Sequence, residues 1–159
     1  MFDYEKIPLH WVNRLSFLVR KELAQRFRSA GHLVGPEEWA VLLVLWKKGA
    51  KTPSAMADVT VKDRTTVTRL IDGMVRKGLV ERSEHPEDRR RSVITTSKRG
   101  NAIQRELVPI AKTLIAEATQ GISAEDIETT NRTLKAMAAN ILGAPVEVSA
   151  DQEIENVRL

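Results

Sequence analysis

The stretch Asp63–Gly100, DRTTVTRLIDGMVRKGLVERSEHPEDRRRSVITTSKRG, changes its periodicity partway along. In its first half Val67, Leu70, Ile71 and Met74 recur at helical spacing, as the buried stripe of one helix does. Asp63 stands in front as an N-cap and Gly78 behind as a stop. Past Gly78 the period switches. Two short runs, Leu79–Arg82 and Ser92–Thr96, read as strands flanking a polar turn. That turn carries three consecutive arginines, Arg89, Arg90 and Arg91. Such a cluster is either a solvated loop or a tip built to reach a polyanion, and the residues around it decide.

Immediately upstream, TPSAMADVT (Thr52–Thr60) reads as a short helix with Thr52 as N-cap and Pro53 in the first helical position. Ala55 and Ala57 are small enough for a close helix crossing, and Val61 supplies an apolar turn position. Short helix, turn, second helix is a helix-turn-helix, and the hairpin that follows is a wing. The second helix exposes Arg64, Thr65, Thr66, Thr68 and Arg69 near its N-terminus. Arginine can fork onto guanine, threonine offers a hydroxyl and a methyl, and a helix N-terminus favours phosphate.

Farther out, a helix starting at Pro36 carries WAVLLVLW, apolar nearly all round and therefore expected to be buried; Gly49 closes it. Trp39 and Trp46 lie two turns apart on one face and are expected to pack in the core. The first helix spans about Pro8 to Ala30, with Trp11, Leu15, Leu18 and Phe27 among many cations, and Gly31 ends it. After Ser97 one long helix carries Ile103, Leu107, Ile110 and Leu114, bends at Pro109 and stops at Gly121. A last helix, capped at Ser123, runs to about Leu142 with Ile127, Leu134, Met137 and Ile141 facing inward. Gly143-Ala-Pro145 breaks it ahead of an acidic, weakly patterned tail.

A length of 159 residues suggests one domain with at most a small appendage. With 42% hydrophobic but only 4% aromatic residues, the core should be aliphatic. The absence of cysteine excludes a disulfide scaffold, a thiol nucleophile and a thiolate metal site. No signal peptide is visible in the opening residues, and no apolar run approaches the roughly 18 residues of a membrane span. A cytoplasmic protein is expected. Val61–Arg105 holds twelve Lys/Arg against six Asp/Glu, whereas Asn140–Leu159 holds one cation against four carboxylates. A basic middle favours a polyanionic partner, nucleic acid first.

The Asp63–Gly100 stretch resembles the multiple-antibiotic-resistance-regulator (MarR) family of winged-helix repressors. The marks are Lys77-Gly78-Leu79-Val80, Arg82 two residues on, Asp88-Arg89-Arg90, and Gly100 ten residues past Arg90. Helix order before and after agrees, so the resemblance covers roughly residues 8–142. Thr96 departs from it, standing where the family usually has leucine. The resemblance implies a mainly helical winged helix-turn-helix with a small β-wing and flanking dimerisation helices. It assigns 1–35 to an N-terminal dimerisation helix, 36–100 to the DNA-binding lobe, 101–143 to C-terminal dimerisation helices and 144–159 to the tail. It implies a homodimer on double-stranded DNA, with Arg90 probing the minor groove, Asp88 holding it, and Ser54 touching phosphate. Arg82, Arg89 and Arg91 join the same DNA-binding set. It also implies a small aromatic or anionic effector held between the dimerisation helices and the DNA-binding lobe. His10, Trp11 and Arg14 are candidates for that site, and a Trp in this helix is similar to urate-responsive members. The plainer role for Trp11 is to staple a dimer.

An enzyme is poorly supported. Three histidines, no cysteine and no Gly-rich phosphate loop leave little from which to assemble a catalytic site. No metal and no cofactor are expected. Asp58, Asp63 and Asp72 read as caps and surface charges, and His32 as a surface-loop histidine. The competing reading is a winged helix that serves as an architectural or protein-interaction module without operator specificity.

Overall fold

The computed structural model describes residues 3–60 and 62–146. Val61 and most of the acidic tail lie outside the described residues. A short 3-10 turn, Tyr4–Lys6, leads into α1 (Pro8–Ser29), α2 (Pro36–Lys48), α3 (Pro53–Thr60) and α4 (Arg64–Arg76). A two-stranded antiparallel sheet follows, β1 (Val80–Glu84) and β2 (Ser92–Thr96). The chain continues through α5 (Lys98–Ala102), α6 (Gln104–Ala118) and α7 (Ala124–Leu142). The expected class, mainly helical with a small wing, is what forms.

The boundaries follow from capping chemistry. Asp63 accepts from the Thr66 backbone N–H at 2.8 Å, Ser97 Oγ from Gly100 N–H at 2.9 Å and Ser123 Oγ from Asp126 N–H at 3.1 Å. Each removes one orphan donor from a first helical turn. At α2 the Glu38 carboxylate reaches back to the Gly35 N–H at 2.9 Å.

The core is aliphatic, as composition requires. Val41 and Leu42 of α2, Met56 of α3, Val67, Ile71 and Met74 of α4, Ile94 of β2 and Leu107 of α6 are all fully buried. Each such side chain contributes about 1.5–3 kcal/mol relative to exposure. Three of the seven aromatics form a chain through it. Phe27 and Trp39 rings lie 5.2 Å apart, and Trp39 and Trp46 rings 5.7 Å apart. This chain joins α1 to α2, and Trp46 Nε1 donates to the Gly100 carbonyl at 3.2 Å, joining α2 to α5.

Several expectations are corrected. The helix after Ser97 is divided at Ile103 into α5 and α6, and Pro109 lies inside α6. At Ile103 the carbonyl accepts from both Glu106 and Leu107 N–H, at 3.0 and 2.9 Å, which tightens the turn there. α2 is not buried all round: Leu43 stays 43% exposed, because α2 keeps one side outside a single core. The row Ile127, Leu134, Met137 and Ile141 faces inward only in part: the first three are half-buried, none is buried, and Ile141 is 77% exposed. The chain divides into two compact units, Met1–Ala116 and Glu117–Leu159, and the second offers α7 no core of its own. His32 is no surface-loop residue. Its side chain is only 15% exposed, and its Nε2 lies 2.8 Å from Glu106 Oε2.

Two links position the recognition region. Lys77, just past α4, donates to both Glu38 carboxylate oxygens at 2.8 and 3.0 Å and to the Leu33 carbonyl at 2.9 Å. Lys51 exchanges both backbone bonds with Ile94, at 3.0 and 2.7 Å, so the chain entering α3 is pinned to β2 by a single antiparallel bridge.

Candidate nucleic-acid interface

The α3–α4 pair presents the start of α4 outward. Val67, Ile71 and Met74 face the core, which leaves Arg64, Thr65, Thr66, Thr68 and Arg69 exposed. Their polar groups are already organised. Thr66 Oγ1 donates to Asp63 at 2.6 Å, so that threonine closes the N-cap as well as facing solvent. Thr68 Oγ1 donates to the Arg64 carbonyl at 2.9 Å, and Arg64 Nη2 donates to Ser54 Oγ at 2.9 Å. The two Thr66 bonds, hydroxyl first and backbone second, hold the Asp63 carboxyl below its ordinary value.

Register Val80↔Thr96 to Glu84↔Ser92 sets the wing, with residues 85–91 as its tip. Asp88 builds that tip. Its carboxylate accepts from Arg90 N–H at 3.0 Å and its carbonyl from Arg91 N–H at 2.9 Å, closing a turn. Asp88 Oδ1 also lies 3.6 Å from Arg90 Nε, while the Arg90 side chain is 94% exposed. One carboxylate therefore fixes the backbone of Arg90 and steadies its guanidinium.

An open groove of about 490 Å3 joins the three parts. Its walls include Thr52 and Ser54 of the α3 start, Arg64 and Thr68 of α4, and Arg91 beside β2. Among the described residues no carboxylate lines it. Of the expected residues, the structure thus brings Ser54, Arg64, Thr68 and Arg91 together, with Arg89 and Arg90 farther out on the tip. Arg82 stands differently. Its Nη2 bonds Asp72 Oδ1 of α4 at 2.8 Å, so it braces the wing against the recognition helix. Asp72, taken above as a surface charge, is the residue sequence reasoning missed. Its only signal was a position ten residues before an arginine, which two different periods hide.

The proposed ligand residues lie elsewhere. His10 packs between Tyr4 and Trp11, at ring distances of 4.8 and 5.2 Å, and Trp11 Nε1 donates to the Glu5 carbonyl at 2.8 Å. Among the described contacts none joins His10, Trp11 or Arg14 to the arginines of the wing. Among the described residues, no group of His, Cys, Asp or Glu is placed to hold a metal ion, and no helix is long and apolar enough to cross a membrane.

A recognition helix, a braced hairpin and a carboxylate-free groove between them define a winged helix-turn-helix DNA-binding protein. The chain belongs to the MarR family of transcriptional regulators, a family of regulators and not of enzymes. The family's profile matches residues 35–92. An uncharacterized HTH-type transcriptional regulator of Mycobacterium bovis is 32% identical over 130 residues, covering 78% of this chain and 83% of that protein. Two solved structures share the fold. A mutant MarR from E. coli complexed with operator DNA has a TM-score of 0.74 at 24% identity, covering 84% of this chain and 96% of that one. Bordetella bronchiseptica BpsR, studied for regulation of its DNA binding by 6-hydroxynicotinic acid, has a TM-score of 0.76 at 21% identity, covering 87% and 97%.

Proposed function

We propose that this regulator binds a pseudo-palindromic operator as a homodimer and represses transcription until a small anionic effector releases it. One observation carries the DNA half: α3, α4 and the wing converge on a single groove that holds two arginines and no carboxylate. In the complex, Thr65, Thr66 and Arg69 face base edges in the major groove. Ser54, Arg64, Thr68, Arg89 and Arg91 hold phosphates, and Arg90 enters the minor groove beside the wing. A narrow minor groove concentrates negative potential, and a guanidinium already steadied by Asp88 loses less entropy on entering it.

The homodimer rests on α1. Trp11, Leu15 and Leu18 are each more than half exposed and share one face of the helix. An exposed apolar stripe of that kind fits an interface. Two-fold symmetry then sets the half-sites about one helical turn apart. The effector reading draws on α1 as well, with Trp11 and His10 as an aromatic wall and Arg14 as the cation. A molecule like 6-hydroxynicotinic acid, which regulates DNA binding by BpsR, has the matching chemistry.

The test is selection from random duplex DNA, followed by anisotropy titration of the selected duplex and a scramble at several salt concentrations. Recovery of an inverted repeat, bound at least about a thousandfold more tightly than the scramble, is the expected result. Equal and steeply salt-dependent binding to every duplex makes the protein an architectural module instead.

A further inference from the structure

The first turn of α4 uses its hydroxyl protons within the protein. Thr66 Oγ1 donates to Asp63 Oδ2 at 2.6 Å, and Thr66 N–H donates to Asp63 Oδ1 at 2.8 Å. Thr68 Oγ1 donates to the Arg64 carbonyl at 2.9 Å. A threonine hydroxyl has one proton and two lone pairs. Thr66, with its proton committed to Asp63, therefore meets a base as an acceptor with a methyl beside it. Asp63 is exposed, and an ionised carboxylate only accepts. What holds that carboxyl below its ordinary value is Thr66 and backbone N–H groups, with no lysine or arginine among the causes.

An uncompensated carboxylate is costly at this place. The leading end of a recognition helix enters the major groove, and its first residues lie against base edges. Bare backbone donors at a helix N-terminus attract phosphate. Here Asp63 fills that position with a negative charge. It repels phosphate, and it repels any base edge that shows only lone pairs. An exocyclic amine is the one base group that satisfies it.

We infer that Asp63, backed by Thr66, is a specificity-determining residue that reads one cytosine in each operator half-site by accepting from its N4 amine. Cytosine alone shows the major groove a donor and no acceptor. Guanine shows N7 and O6, and thymine O4, each a lone pair set against the carboxylate. Adenine has an amine at N6 but an acceptor at N7 beside it. A wrong base leaves Asp63 desolvated and opposed, so rejection contributes as much as contact. One well-made base contact discriminates by about 5- to 150-fold. This role rests on the operator reading above and adds a carboxylate to its threonines and arginines; capping α4 is the same residue's second task.

Selection from random duplex DNA is run on the parent, Asp63→Asn and Asp63→Ser, each as the full chain. Every recovered half-site is then scanned base by base by anisotropy at matched salt, beside a scrambled duplex. Asparagine and serine cap a helix about as well as aspartate, so both variants keep α4, and thermal melts read alongside confirm it. The parent should select cytosine at one position per half-site and lose at least about tenfold when any other base stands there. Asp63→Ser should lose that preference alone, with the rest of the motif unchanged. Asp63→Asn, whose amide brings a donor, should turn to adenine, whose N6 and N7 an asparagine fits. The same motif with the same discrimination in both variants makes Asp63 a cap only and overturns the role. Equal tightening of operator and scramble, with the cytosine preference intact, overturns it as well, since the charge then acts on phosphate. A base other than cytosine at the position the variants alter overturns the amine contact. No motif from the parent overturns the operator reading itself, whereas a parent motif indifferent to Asp63 overturns this role and leaves that reading standing.

Discussion

At the scale of single residues, the wing separates two arginines that look alike in sequence. Arg90 projects into solvent from a turn that Asp88 closes, whereas Arg82 is spent on Asp72. Arg90→Ala should therefore weaken operator binding on the order of tenfold while sedimentation still shows the same oligomer. An unchanged affinity at matched salt would remove Arg90 from the interface. Arg82 should behave as a brace. Arg82→Gln and Asp72→Asn each loosen the wing, but the double variant should lose little more than either alone, with coupling of about 0.2–1 kcal/mol for so exposed a pair. If Arg82→Gln instead costs full DNA affinity in the Asp72→Asn background, Arg82 touches DNA directly. Asp63 titrates with a known sign. The Thr66 hydroxyl and N–H hold its carboxyl below the ordinary aspartate range, so the cap's contribution is full above that range and fades as pH falls through the lowered folded value. Urea melts from pH 7 to pH 3 should show the parent losing stability relative to Asp63→Asn only at the acid end.

At the scale of elements, the spaced motif acquires a cause. Lys77-Gly78-Leu79 and Gly100 are far apart in sequence but meet in space. Ser97 Oγ donates to the Gly78 carbonyl at 2.6 Å, Ser97 N–H donates to the Leu79 carbonyl at 3.1 Å, and a Cβ on Gly100 would run into that same carbonyl. Gly100→Ala should thus destabilise by about 1–3 kcal/mol, lowering Tm by roughly 2–4 °C per kcal/mol. Gly73, inside α4, meets nothing closer than 3.8 Å, so Gly73→Ala should stabilise by about 0.5–1 kcal/mol. Thermal melts that move both variants the same way contradict this account. The caps and the period switch at Gly78 were legible in the sequence because each is a local signal. The break at Ile103 was not, since Pro109 is the louder helix-breaker in the sequence. The Asp72–Arg82 brace and the Lys77–Glu38 link were hidden because each joins two elements of different period. Glu38 looked like a first-turn acid, and nothing local announces that its second task is to hold Lys77, 39 residues away. Thr96, out of pattern for the family, makes its own link by donating to Asn101 Oδ1 at 2.6 Å.

At the scale of the whole molecule, the unspent features are the apolar face of α1 and the charge of the middle third. Both acquire a role if two chains share one operator. If Arg64, Arg89 and Arg91 face phosphate as proposed, a dimer brings six such arginines, and at about −0.9 per contact the salt slope of operator binding should lie near −5. A duplex carrying one half-site should show about half that slope. Leu15→Asp with Leu18→Asp tests the same idea from the other end. Both positions are more than half exposed, so the lobe built on Phe27, Leu42 and Ile71 keeps its core. Sedimentation should then give a monomer with the parent's circular dichroism. Its binding to the full operator should fall to the half-site value and half-site slope, because the second lobe is no longer tethered. A doubly substituted chain that still dimerises places the interface elsewhere. One that is monomeric yet keeps the full slope shows that a single lobe makes all the phosphate contacts, and that the two-fold operator is not what this protein reads.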